Sequence, residues 1–117
     1  MTRSILLVED DPLLLEIYTA TLLEAAFTVY SAPDSEGARR LRSEYEPELA
    51  CIDARLPDGS GVDLAVEFEA LGTRSILLTN DQRVVDAPPP EVTGVLLKIA
   101  TPPKELAGAL DRLLAAD

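Results

Sequence analysis

Short uninterrupted apolar runs alternate along this chain with stretches whose apolar residues recur every three or four positions. Ile5-Leu6-Leu7-Val8, Leu49-Ala50-Cys51-Ile52, Ile76-Leu77-Leu78 and Val95-Leu96-Leu97 are each bounded by polar or turn residues. Runs of this kind read as strands buried on both faces, here 4–8, 49–53, 75–79 and 94–98. Thr28-Val29-Tyr30-Ser31 adds a short β-type run. Between them lie helical patterns. Asp11-Pro12 supplies an N-cap and a first-turn proline for a helix from about Pro12 to Ala26, with Leu14, Ile17, Tyr18, Thr21, Leu22 and Ala25 on its apolar side. Asp34 or Ser35 caps a second helix that turns Ala38, Leu41 and Tyr45 inward and ends before Pro47. A short third helix carries Leu64, Ala65 and Phe68, with Gly72 as its C-terminal cap. A last helix starts at Thr101-Pro102-Pro103 and buries Leu106, Ala109, Leu110 and Leu113.

Strands alternating with helices predict an α/β fold with a parallel sheet covered on both faces. Right-handed crossovers favour a flavodoxin-like doubly wound five-stranded sheet, order 2-1-3-4-5. No repeat or linker interrupts the chain, so residues 1–117 are expected to form a single domain. The fourth helix is expected to be degraded. Pro88-Pro89-Pro90 cannot lie inside a helix, which leaves one or two turns near 81–87 and then an extended segment.

Composition narrows the partners. The 117 residues can bury a real core. A net charge of −11 with no basic stripe opposes direct nucleic-acid binding. The apolar runs are far too short to span a membrane, and the N-terminus has no signal-peptide pattern. A cytoplasmic location follows as the default. The chain has no His, which excludes His-based metal sites and His general bases. Cys51 lies within an apolar run and reads as packing.

The candidate chemistry lies where the strands stop. Glu9-Asp10-Asp11, Asp53, Thr79 and Lys98 all follow apolar runs, so the predicted topology brings them to one sheet edge, at the switch point. Clustered carboxylates stay ionised only beside a compensating cation. Oxygen ligands suit Mg²⁺, with Asp10 and Asp53 as direct ligands, Glu9 acting through water and a backbone carbonyl at Arg55 completing the set. A carboxylate can also act as a nucleophile and form an acyl phosphate. Asp53 is the candidate, with Lys98 neutralising phosphoryl oxygens and Thr79 donating a hydrogen bond to one of them. The plainer reading of Asp53 is a strand-end carboxylate hydrogen-bonded to loop amides, and its four partners favour the phosphoacceptor role over it. Arg55 and Asp58 read as ordinary loop residues.

With these motifs in order, the sequence resembles the receiver domain of two-component response regulators. The resemblance rests on Ile5 to Asp11, on Asp53 followed by Leu56-Pro57-Asp58-Gly59-Ser60-Gly61, on Leu77-Leu78-Thr79, and on Leu97-Lys98 with Thr101-Pro102. It implies Mg²⁺-dependent transfer of a phosphoryl group to Asp53 from the phosphohistidine of a sensor histidine kinase or phosphotransfer protein. It also implies slow self-dephosphorylation, no conventional enzyme activity, and output to a downstream protein partner; pairing into a homodimer stays open. The chain departs from the family's pattern at Asn80, where a small Ala or Gly is usual. It also departs at Val95, where a switch aromatic is usual, and at Ile99, where Pro usually follows the Lys. These departures support an alternative, a pseudo-receiver interaction module that does not switch on phosphorylation.

Overall fold

A computed structural model describes residues 3–115. Five parallel strands form the main sheet: β1 (Ser4–Val8), β2 (Thr28–Ala32), β3 (Leu49–Asp53), β4 (Arg74–Thr79) and β5 (Gly94–Leu97). Their spatial order is β2-β1-β3-β4-β5, the expected doubly wound arrangement. Five helices cover it: α1 (Pro12–Glu24), α2 (Ser35–Tyr45), α3 (Gly61–Ala70), α4 (Gln82–Asp86) and α5 (Pro103–Ala115). The loop after β3 is tightened by a small antiparallel hairpin, Arg55–Leu56 against Gly59–Ser60.

The apolar runs are continuous because both faces of the sheet are covered. Ile5, Leu7, Leu49, Cys51, Ile76 and Leu78 point to one side, where Tyr18, Leu22, Leu106 and Leu110 of α1 and α5 meet them. Leu6, Val8, Ala50, Ile52 and Leu77 point to the other, against Ala38, Leu64, Ala65 and Phe68 of α2 and α3. Successive strand residues thus feed two cores, as the period of two requires.

Local signals behave as their chemistry demands. Asp11 caps α1 by accepting from the Leu13 and Leu14 amides. Asp34, not Ser35, caps α2, accepting from the Gly37 amide at 2.8 Å. Gly72 has φ +90°, a conformation open to glycine, one residue beyond the α3 C-cap Leu71. α4 is a five-residue helix, and the chain then runs through Pro88–Pro90 without regular structure. Glu69 secures the return to the sheet. It accepts from the Ser75 amide (2.8 Å), the Thr93 amide (2.7 Å) and the Thr93 hydroxyl (2.6 Å), tying α3 to the starts of β4 and β5.

Several expectations are corrected. α1 ends at Glu24, and Ile17 and Ala25 are exposed, because α1 is apolar nearly all round and periodicity cannot choose its buried face. Tyr45 does not turn inward. It lies 48% exposed and stacks on Tyr30, with ring centroids 4.4 Å apart. Lys98 is not the last residue of β5 but the first of a 3₁₀ turn, Lys98–Ala100. Asp58 is not an ordinary loop residue. It reaches across to α2 and accepts from the Ser35 amide (2.9 Å) and the Glu36 amide (3.1 Å).

Candidate functional site

The carboxyl ends of β1, β3, β4 and the turn after β5 open onto one cavity of about 470 Å³. Asp10, Asp53, Arg55, Thr79 and Lys98 line it, together with Asn80, Asp81 and Arg83. In-register pairing of Val8 with Ile52 and of Thr79 with Leu97 makes the strands stop together, and this places the polar residues that follow them side by side.

At the centre one ammonium is shared by two carboxylates. Lys98 Nζ lies 2.6 Å from Glu9 Oε1 and donates to Asp53 Oδ2 at 3.1 Å. Glu9 is buried and Asp53 half-buried. The other oxygen of each acid takes a backbone amide. Asp11 N–H donates to Glu9 Oε2 (3.1 Å), and Arg55 N–H donates to Asp53 Oδ1 (3.1 Å). Burial pushes Glu9 up from 4.5 to about 7; Asp53 adds to the rise, while Lys98 and the Asp11 amide oppose it. Burial disfavours the Lys98 ammonium, but its bonds to Glu9 and Asp53 outweigh that cost and leave its pKa above the usual value. Cys51 sits beneath the site; burial pushes its thiol up to about 12, which fits packing and not chemistry.

Ligand oxygens of Glu9, Asp10 and Asp53 lie within 4.8 Å of one another. This donor set is all oxygen, borders the open cavity and carries more negative charge than Lys98 offsets. It fits a hard divalent cation of the Mg²⁺ type. Thr79 Oγ1 accepts from the Asp81 amide at 3.0 Å, which leaves its own O–H free to donate into the cavity.

Backbone geometry around Asp53 depends on Gly61. A Cβ built there would lie 1.8 Å from the Asp53 carbonyl oxygen, so only glycine lets α3 begin this close to β3. Ser60 caps α3 by accepting from the Asp63 amide.

The site thus brings together Glu9, Asp10, Asp53, Thr79 and Lys98, as the strand-end pattern predicted. Arg55 lines the cavity beside them. Sequence reasoning missed the Asp81–Arg83 pair at the rim, joined at 3.0 and 2.9 Å. It also missed the bond from the Ile99 amide to Asn80 Oδ1 at 2.7 Å. The available signal is that both Asn80 and Ile99 depart from the family's pattern. The bond between the two is a tertiary fact.

Residues 5–110 match the response regulator receiver domain family. The chain is 38% identical over 84 residues to the transcriptional regulatory protein CitB of Klebsiella pneumoniae, covering 68% of this chain and 36% of that one. It therefore spans about a third of that regulator's length. Among solved structures it is similar to the signal receiver domain of an HD domain-containing protein from Pseudomonas fluorescens Pf-5. That pair shares 26% identity with a TM-score of 0.81, covering 99% of this chain and 97% of the other. It also shares its fold with the response regulator TrrA of Thermotoga maritima, crystallised with Mg²⁺ and beryllofluoride. There the TM-score is 0.84 at 23% identity, covering 96% of this chain and 99% of the other. Among the described residues, no helix is long and apolar enough to cross a membrane.

Proposed function

The chain belongs to the response regulator receiver domain family, and from that premise we propose that Asp53 is its phosphoacceptor in a two-component phosphorelay. The observation that carries this reading is the Lys98 ammonium, 3.1 Å from Asp53 at the edge of a cavity that also holds Asp10 and Thr79. A phosphohistidine of a sensor kinase or phosphotransfer protein is the donor. Its P–N bond breaks as an Asp53 oxygen bonds to phosphorus. Asp10, Asp53 and the Arg55 carbonyl, with Glu9 through water, would hold Mg²⁺, which would offset the charge of the carboxylates and the phosphoryl oxygens. Lys98 pairs with the phosphoryl group, and the Thr79 hydroxyl donates to it. Asp53 Oδ1 is held by the Arg55 amide, which fixes the carboxylate plane before the donor arrives.

The product is a switched state and not a turnover cycle, with only self-phosphorylation and slow autodephosphorylation as chemistry. The receiver passes its state on by protein contact in the cytoplasm.

Amide-resolved NMR titration with Mg²⁺, then with Mg²⁺ plus beryllofluoride, tests this on wild type and Asp53→Asn. Expected are Mg²⁺ shifts at Asp10 and Asp53, then beryllofluoride shifts reaching Thr79 and β5, all of the latter lost in Asp53→Asn. A wild type that ignores beryllofluoride overturns the proposal. Shifts that stop at the acidic edge mark a site that binds without relaying, the outcome the half-buried Val95 would explain.

A further inference from the structure

Asn80 lines the cavity and accepts a hydrogen bond from the backbone amide of Ile99. The β4–β5 ladder ends at Thr79 opposite Leu97. Beyond it the chain after β5 makes one 3₁₀ turn, Lys98–Ala100. The Ile99 side chain is 80% exposed and contributes almost no packing to hold that turn. Thr101 ties the turn back to the end of β5 and not to β4, through its hydroxyl to the Leu97 carbonyl (2.9 Å) and its amide to the Lys98 carbonyl (3.2 Å). Among the described residues, the bond from Ile99 N–H to Asn80 Oδ1, at 2.7 Å, is what joins the turn to the end of β4.

We propose that Asn80 is a positioning residue of the phosphoacceptor site, holding the backbone from which Lys98 reaches Glu9 and Asp53. The proposal rests on the phosphoacceptor reading and deepens it. Lys98 immediately precedes the anchored amide, so the bond fixes the origin of a side chain with four rotatable links. An unanchored lysine would lose more conformational freedom on reaching 2.6 Å from Glu9 and 3.1 Å from Asp53. The Asn80 amide is oriented by the same bond. Ile99 N–H is a donor and requires the oxygen, so the NH₂ end is left for the cavity that Asn80 lines. Small apolar residues at position 80 offer no acceptor, and an Ile99 amide facing them would depend on water.

The test compares wild type with Asn80→Ala, Asn80→Asp and Ile99→Pro. Without metal, the readouts are hydrogen exchange of the Ile99 amide and the ¹⁵N signal of the Lys98 ammonium. In Asn80→Ala the Ile99 amide exchanges about tenfold faster. The Lys98 signal moves toward that of a free lysine. Asn80→Asp keeps an acceptor and restores Ile99 protection. Ile99→Pro removes the donor in place of the acceptor, reproduces the Lys98 change, and adds nothing when combined with Asn80→Ala. With Mg²⁺, beryllofluoride affinity falls about tenfold in Asn80→Ala. An unchanged Lys98 signal in Asn80→Ala, or additive effects in the double variant, overturns the proposal. Failure of the wild type to take beryllofluoride overturns the phosphoacceptor reading instead, and the metal-free comparison still decides the role of Asn80.

Discussion

The Lys98 ammonium lies 2.6 Å from the carboxylate of Glu9, an acid only 2% exposed. Lys98 is thus a fixed counter-charge for a buried group and not a free surface cation. Replacing it by Met leaves Glu9 and Asp53 facing each other uncompensated. Lys98→Met is expected to lose roughly 3–5 kcal/mol of stability at pH 8. Mg²⁺ should restore much of that loss, because it supplies the missing charge. Urea melts with and without Mg²⁺ check both halves.

Glu9 itself is expected to titrate near neutrality. Burial raises it from 4.5 to about 7, so between those values the native protein holds a proton that the unfolded chain has lost. Its contribution is therefore fully present below about 4.5 and lost as pH rises through about 7. Glu9→Gln should flatten that part of the stability profile, and the ¹³C carboxyl shift of Glu9 should move through the same window. Ionised Glu9 adds negative charge beside the metal site, so Mg²⁺ affinity should fall as pH drops below the Glu9 midpoint. A pH-independent Mg²⁺ affinity would show that Glu9 does not contribute to holding the metal.

Gly61→Ala should be among the most damaging single substitutions. The added Cβ would lie 1.8 Å from the Asp53 carbonyl, and backbone must move on both sides. A loss above about 3 kcal/mol is expected, with the Asp53 amide resonance displaced. Gly59→Ala is the control. Its φ of +149° strains an alanine, but nothing lies within 4 Å of the new Cβ, so a loss of about 1 kcal/mol is expected.

Glu69→Ala strips three donors at the opposite end of the sheet of their acceptor. A loss of about 2 kcal/mol is expected. Hydrogen exchange should rise first at Thr93 and along β5, whose entry follows the proline segment. Uniform exchange across the sheet would show that Glu69 does not anchor β5.

Asp58 holds the first amides of α2 from the loop that follows β3. Its pKa is lowered, chiefly by the Ser35 amide, so its contribution is present above about 3.8 and lost as pH falls through its native value. Asp58→Ala should open the Ser35 and Glu36 amides to exchange while leaving β3 protected.

Much of the fold was legible because it depends on patterns carried within single segments. Continuous apolar runs demand a sheet covered on both faces, and alternating helices with right-handed crossovers then fix the strand order. Strand ends follow from where the runs stop, so Glu9, Asp10, Asp53, Thr79 and Lys98 converge for a reason visible in one dimension. Pro88–Pro90 likewise announces a short α4 through its backbone chemistry. The tertiary structure alone decided what depends on partners distant in the chain. Periodicity could not choose the buried face of α1, because that helix is apolar nearly all round, and contact with α5 and the sheet made the choice. Tyr45 stays outside because Tyr30 on β2 offers it a ring to stack on. Asp58 became a clamp on α2 and Asn80 an acceptor for Ile99 only once the crossovers brought them within hydrogen-bond reach. A hydrogen bond between segments needs a direction and a distance set by both backbones, and no spacing along one strand or helix encodes either.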